Sequence, residues 1–82
     1  MKIKKNVAIT ETGVIFNAGT GDSYSVNQPG KLIMEMIQDG KDKDEILTRL
    51  TEEYEVEKNR AETDLTDFLN YLAQLKLVDN GE

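Results

Sequence analysis

The first third of the chain alternates apolar and polar residues with a period of two, which is the spacing of half-buried β-strands. Val7 and Ile9 begin this alternation, and Val14 and Phe16 continue it after a turn at Gly13. A second turn, rich in glycine, occupies residues 18–22 and leads into another alternating segment. The pattern predicts three antiparallel strands with Val14 and Phe16 on their apolar face, at Asn6–Thr10, Gly13–Asn17 and Asp22–Val26.

The apolar spacing then changes to that of helices. Asn27 is a favourable N-cap, Pro29 suits a first turn, and Asp39-Gly40 suits a helix end. We predict further helices over about Asp42–Tyr54 and Lys58–Leu75. Three strands followed by three helices indicate an α+β fold, with one face of the sheet packed on the helices. The predicted buried stripes are Leu32, Ile33, Met36 and Ile37, then Ile46, Leu47, Leu50 and Tyr54, then Leu65, Phe68, Leu69, Leu72 and Leu75.

The length of the chain favours a single domain. Its 82 residues suffice for one compact core, which we expect to span about residues 6–78 within a domain of residues 1–82. No apolar stretch approaches the ~20 residues that cross a bilayer. No apolar signal segment follows the lysines of Met1–Asn6. We therefore expect a cytoplasmic protein without a membrane partner.

Residues that commonly support catalysis or metal binding are scarce. The chain contains neither cysteine nor histidine, which removes the commonest zinc ligands and the commonest general base near neutral pH. Asp39, Asp42, Asp44 and Glu45 do not have the spacing of a calcium loop. Neighbouring carboxylates such as those of Glu52-Glu53 have few walls to desolvate them in so short a chain. We predict no catalytic residue, no metal and no cofactor.

The charge balance bears on the class of partner. Ten basic and sixteen acidic residues give a net charge of −6, whereas nucleic-acid-binding proteins usually present a basic patch. The acidic residues concentrate in Asp42–Glu57. We interpret this segment as a solvated helix face, with docking against a basic partner enzyme as the alternative.

A series of short motifs runs in order between Val7 and Val78. These motifs are Val14-Ile15-Phe16-Asn17, Ser23-Tyr24-Ser25-Val26-Asn27, the Leu32, Ile33 and Ile37 stripe with Asp39-Gly40, Glu45-Ile46, Leu50, Tyr54-Glu55-Val56, Asp64-Leu65, Phe68-Leu69, Leu72 and Leu77-Val78. No single motif is specific, but the ordered set, at these separations in so short a chain, resembles the PqqD family, which is named after coenzyme PQQ synthesis protein D. One departure is Lys76, which stands where family members often carry a glycine.

The resemblance implies a winged helix-turn-helix-like fold and a role in the biosynthesis of ribosomally made, modified peptides. Members of the family are not enzymes. They bind the leader segment of a precursor peptide, as an extra strand beside the third strand and the third helix, and present it to a modifying enzyme that is often a radical S-adenosylmethionine (SAM) enzyme. The third-strand positions carry over by motif, as do Asp64 and Phe68 on the third helix, and Tyr71 is added from helix geometry because an amphipathic aromatic suits such a groove. The expected peptide-binding residues are Ser23, Tyr24, Ser25, Val26, Asp64, Asp67, Phe68 and Tyr71.

Two other interpretations remain open at this stage, a winged-helix DNA-binding regulator and an adaptor subunit without a peptide ligand. The third helix mixes acidic residues with basic ones, so we expect no nucleic-acid binding. We expect a monomer or weak dimer, since an exposed strand edge can pair with its own copy.

Overall fold

A computed structural model describes residues 2–79. A three-stranded antiparallel sheet has the order β2-β3-β4, and β1 pairs with β5 in a separate two-stranded sheet. The predicted α+β fold, with a three-stranded sheet and three helices, is confirmed. The strands are β1 Lys2–Ile3, β2 Val7–Ile9, β3 Val14–Asn17, β4 Asp22–Ser25 and β5 Val78–Asp79, and the helices are α1 Gln28–Gln38, α2 Lys43–Tyr54 and α3 Lys58–Gln74.

Local hydrogen bonds set the ends of the first two helices. The Asn27 side chain accepts a hydrogen bond of 3.0 Å from the Gly30 N–H at the start of α1. At the start of α2, Asp42 and Glu45 form a reciprocal capping box, with each side chain accepting from the other residue's backbone N–H. These caps fix where α1 begins after β4 and where α2 begins after the loop that follows α1.

The core lies between the inner face of the sheet and the three helices. Its buried side chains come from the sheet and from α1, α2 and α3, and they form one cluster. Ala61 on α3 also belongs to this core, although its small side chain was not part of the predicted stripe. The fully buried large side chains are Ile15, Met34, Leu65, Leu72 and Leu77.

The predicted apolar face of β3 is wrong. Ile15 is fully buried and Phe16 is 44% exposed, so the strand turns the other set of residues inward. Asn17 is buried on the same face of β3 as Ile15. Its Oδ1 accepts a hydrogen bond of 2.9 Å from the Gly19 N–H. The inward set therefore contains a polar residue that organises the β3–β4 turn, and this residue obscured the phase of the alternation.

The predicted burial of Tyr54 is also wrong, since this side chain is 37% exposed. Tyr54 is the last residue of α2, and Glu55 directly after it adopts a left-handed conformation with φ of 51°. A residue at a helix end has neighbours on one side only, so helical spacing from Leu50 does not secure its burial.

The two-stranded sheet joins the two ends of the described chain. Lys2 lies opposite Asp79 and Ile3 lies opposite Val78, and the Lys4 N–H donates to the Leu77 carbonyl over 3.1 Å. Strands of two residues carry too little periodicity to be predicted from sequence, so this pairing was missed. None of the helices between residues 2 and 79 combines the length and the apolar character needed to cross a membrane.

Candidate functional site

Strand β4 presents one open edge. Between residues 2 and 79, β4 pairs with β3 alone. The Val26 N–H donates to the Gly13 carbonyl over 2.9 Å, which places Val26 in a hydrogen-bonded pair with Gly13. Because such pairs alternate along an antiparallel ladder, Tyr24 also bonds toward β3, whereas the backbone N–H and C=O of Ser23 and Ser25 point away from it. The open edge therefore offers the backbone groups of Ser23 and Ser25 to another extended chain.

A pocket of about 150 Å³ lies where the chain passes from β4 into α1 and faces α3. It is termed the end pocket here, and two of its members, Asp64 and Phe68, are residues that the sequence had placed in the site. The other four lie at the start of α1. The end pocket is lined by Asn27, Pro29, Gly30, Ile33, Asp64 and Phe68.

Two aromatic side chains continue this surface along α3. The ring centroids of Phe68 and Tyr71 are 6.3 Å apart with an interplanar angle of 31°, within the usual range for aromatic pairs. Phe68 is partly buried against the core, whereas Tyr71 is 43% exposed. Tyr24 and Val26 are likewise half-buried and pack against the core. These side chains give the groove between β4 and α3 an apolar floor with one accessible aromatic wall.

Carboxylates stand beside the apolar floor. Asp64 lines the end pocket, and Asp67 lies one helical turn further along α3; both are exposed. The Arg60 Nε lies 3.9 Å from an Asp64 carboxylate oxygen, at the limit of an ion pair between two exposed side chains. A pair of this kind contributes little, so Asp64 is free to interact with a cation in the groove.

The structure thus brings Val26, Asp64, Phe68 and Tyr71 to one groove, because Val26 and Phe68 both approach Gly30. The side chains of Ser23 and Ser25 lie on the outer face of the sheet, opposite Phe16 and Val14, and only their backbone groups face the open edge. Sequence reasoning missed the end-pocket residues of α1. Asn27 and Pro29 both have the local preferences of a helix start, so the sequence carried no separate signal that they also line a pocket.

A larger depression of about 410 Å³ lies between the end of α1 and α2. Its lining includes Lys41, Asp42, Glu45 and Arg49, which carry charges of both signs and are exposed. The Arg49 Nε is already 3.2 Å from a Glu53 carboxylate oxygen. This surface has the character of a solvated helix face, as the sequence indicated.

The polar groups near the groove bear on the kind of ligand that the groove suits. In the part of the chain that the structure describes, no group of three carboxylates is placed to hold a metal ion. No side-chain nitrogen or oxygen buried among residues 2–79 lacks a hydrogen-bond partner. An open strand edge beside an apolar groove suits an extended polypeptide, because the edge binds its backbone and the groove receives alternate side chains.

These features define a small winged helix-turn-helix-like domain whose sheet keeps a free edge beside its third helix. The sequence model of one family, described as coenzyme PQQ synthesis protein D (PqqD), matches residues 12–78. The chain therefore belongs to the PqqD family, as its motifs had suggested. Comparison with curated protein sequences gives no significant match.

Two solved structures are similar over almost their whole length. One is TbiB1 in complex with the TbiA(beta) leader peptide, with 29% identity, a TM-score of 0.88, and coverage of 100% of this chain and 99% of TbiB1. The other is lasso peptide synthetase B1 complexed with the leader peptide, with 27% identity, a TM-score of 0.84, and coverage of 96% of each chain. Each of these two structures is a complex with a leader peptide.

Proposed function

We propose that this protein captures the leader segment of a ribosomally made precursor peptide and presents it to a modifying enzyme. The observation that carries the proposal is the open edge of β4 beside the groove on α3. Family membership and the leader-peptide complexes of two similar proteins support it. The single PqqD-like domain of residues 1–82 acts as a binding module and not as an enzyme.

Backbone pairing supplies the part of the affinity that does not depend on peptide sequence. The outward N–H and C=O groups of Ser23 and Ser25 can each bond to the backbone of an added strand. Each such bond contributes about 0.5–1.5 kcal/mol net of the water it replaces. The existing sheet holds β4 in an extended conformation, so the domain itself loses little conformational freedom when the peptide pairs.

Side-chain contacts supply the selectivity. In an added strand, residues directly opposite Tyr24 and Val26 turn their side chains to the inner face of the sheet, as Tyr24 and Val26 themselves do. There they meet Phe68 and Tyr71 on α3. The proposed ligand therefore carries apolar residues at alternate positions.

The acidic groups favour a leader with basic residues. Asp64 and Asp67 flank the apolar floor, and the whole chain carries a net charge of −6. Lysine or arginine beside the apolar anchors of the leader would complement these carboxylates and speed association. The same charges disfavour duplex DNA as the ligand of α3.

The partner enzyme acts on the core segment of the precursor while the leader is held in the groove. A radical SAM enzyme is one such partner, and the wider proposal is any enzyme that modifies the precursor. Because precursor peptides of this class are ribosomal products, we place the encounter in the cytoplasm. The domain works as a monomer or weak dimer, with the β4 edge reserved for the leader.

An NMR titration tests the proposal. Leader peptides encoded beside this gene are added to the isotopically labelled protein, and backbone shift changes are mapped along the sequence. We expect the changes to cluster on Asp22–Val26 and on Asp64–Tyr71, because these segments form the edge and the groove wall. A cognate leader that perturbs only the acidic helix, residues 43–54, would contradict strand addition at β4.

Neutralising the two carboxylates should weaken binding without changing its place. Asp64→Asn and Asp67→Asn are each expected to raise the Kd of a basic leader peptide by about 2- to 5-fold, the usual range for exposed charge pairs. The salt dependence of Kd should fall at the same time. Calorimetric titrations at two salt concentrations measure both effects, and Asp44→Asn on the remote face of α2 is the matched control. Equal weakening by all three substitutions would show that net charge alone is responsible.

A further inference from the structure

Gly30 is an unexpected residue at its position. It lies in the first turn of α1, where its N–H is bonded to the Asn27 side chain, and glycine destabilises a helix relative to alanine. Left-handed backbone does not explain it, because the glycines with positive φ are Gly13, Gly21 and Gly40. The reason must therefore be the space that a side chain would occupy.

A methyl group at position 30 would meet three neighbours at once. An ideal Cβ there would lie 3.1 Å from the Val26 Cβ, 3.2 Å from the Phe68 Cε1 and 3.2 Å from the Asn27 Oδ1. Non-bonded carbon atoms in contact are about 3.5–4.0 Å apart, so the Val26 side chain and the Phe68 ring would have to move. Glycine thus allows the end of β4, α1 and the Phe68 ring of α3 to approach one another closely.

Two of these neighbours, Asn27 and Phe68, line the end pocket, Gly30 forms part of its wall, and Val26 stands against Gly30. From this placement we propose that Gly30 sets the size of the leader side chain that the end pocket accepts, and so acts as a specificity-determining residue. The inference rests on the proposed function and deepens it. It assigns the pocket to one peptide position, the residue paired with Val26.

The pairing geometry leads to that assignment. Ser25 offers outward hydrogen bonds, so Val26 stands in a non-hydrogen-bonded pair with the added strand, where opposing side chains come closest. The opposing side chain lies on the same inner face as Val26, beside Phe68 and Gly30. A volume of about 150 Å³ is comparable to that of an enclosed apolar cavity that admits benzene, so the open end pocket has room for a ring or a large branched side chain.

Selection from a random peptide library displayed on its encoding RNA tests the inference without knowledge of the natural leader. We expect the wild-type protein to enrich a motif with a ring-bearing or large branched apolar residue at one position. Gly30→Ala should enrich the same motif with a smaller residue at that position only. Purified peptides of the two kinds should exchange their order of affinity between the two proteins, by about 10-fold in each case, the lower range for one methyl group in an apolar pocket.

A second variant guards against loss of folding. Phe68→Leu combined with Gly30→Ala removes ring atoms where the methyl group is added, and should restore selection of the larger residue. If the Gly30→Ala protein enriches nothing, recovery of the motif by the double variant supports the inference, and no recovery overturns it. An unchanged motif with Gly30→Ala also overturns it while leaving the proposed function intact. Failure of the wild-type protein to enrich any motif would instead overturn the proposed function.

Discussion

Replacing Ser25 with proline is expected to raise the Kd of the leader peptide by at least about 10-fold while leaving the domain folded. The Ser25 N–H points away from β3 and toward the open edge, so its loss removes a bond to the peptide and none within the sheet. The proline ring also occupies the space into which the peptide backbone must come. Proline is tolerated on an edge strand when its nitrogen faces outward.

Ser25→Ala is the matched control, because it changes the outward side chain and keeps the backbone N–H. Its Kd should stay within about 2-fold of the wild type, since the contact it alters is not part of the groove. Val26→Pro would be a poor test, because the Val26 N–H bonds to the Gly13 carbonyl and its loss breaks the sheet. Wild-type affinity in the Ser25→Pro protein, measured by fluorescence anisotropy, would exclude strand addition at β4.

Leu72 and Tyr71 are neighbours on α3 with opposite expected roles. Leu72 is fully buried, so Leu72→Ala should lower the free energy of unfolding by about 2–5 kcal/mol through lost burial and a residual cavity. Tyr71 is 43% exposed, so Tyr71→Ala should change the free energy of unfolding by only about 0.5 kcal/mol. In the binding assay the order reverses, because truncating an aromatic anchor at an interface costs about 10-fold or more in Kd.

Urea denaturation of the two variants and of the wild type measures the difference in the free energy of unfolding. Leu69 is a less suitable core probe than Leu72, because it is only half-buried and lines a cavity of about 280 Å³ near the start of α2. Similar losses of stability in Leu72→Ala and Tyr71→Ala would mean that Tyr71 packs in the core. The groove between β4 and α3 would then lose its accessible aromatic wall.

Sequence periodicity was sufficient to predict the six main elements, and residues with strong local preferences bound several of them. Asn27 and Asp42 cap helices through their own side chains, and Gly13 takes a φ of 88° at a turn. The phase of β3 could not be predicted in the same way. Val14, Ile15 and Phe16 are all apolar, so alternation alone allows either face, and the structure buries the face that carries Ile15 and Asn17.

The candidate site was predicted in outline because its strand and helix could be recognised, yet its end pocket was not. The pocket depends on the approach of Phe68 to Gly30, and these residues are far apart in the sequence. A glycine after a helix-starting Asn27 and Pro29 was the one available signal, since local preference does not explain it. Long-range approaches of this kind follow from packing and not from local pattern.

The departure of Lys76 from the family has a physical meaning in the structure. Lys76 adopts a φ of 61° directly after α3, and the Leu77 N–H that follows it bonds back to the Leu72 carbonyl over 3.0 Å. This is a left-handed helix stop of the type that glycine usually occupies. The lysine keeps the same turn at the expense of some steric strain.

The pairing of β1 with β5 also means that the fold does not depend on where the chain starts and ends. Since Lys2 lies opposite Asp79, a few linking residues would close the described chain into a ring. A new opening at the exposed Asp39–Lys41 loop would then give a circular permutant with the same packing. The adjacent ends of the described residues equally suit insertion of the domain into a surface loop of another protein, which would hold the groove beside that protein at a high effective concentration.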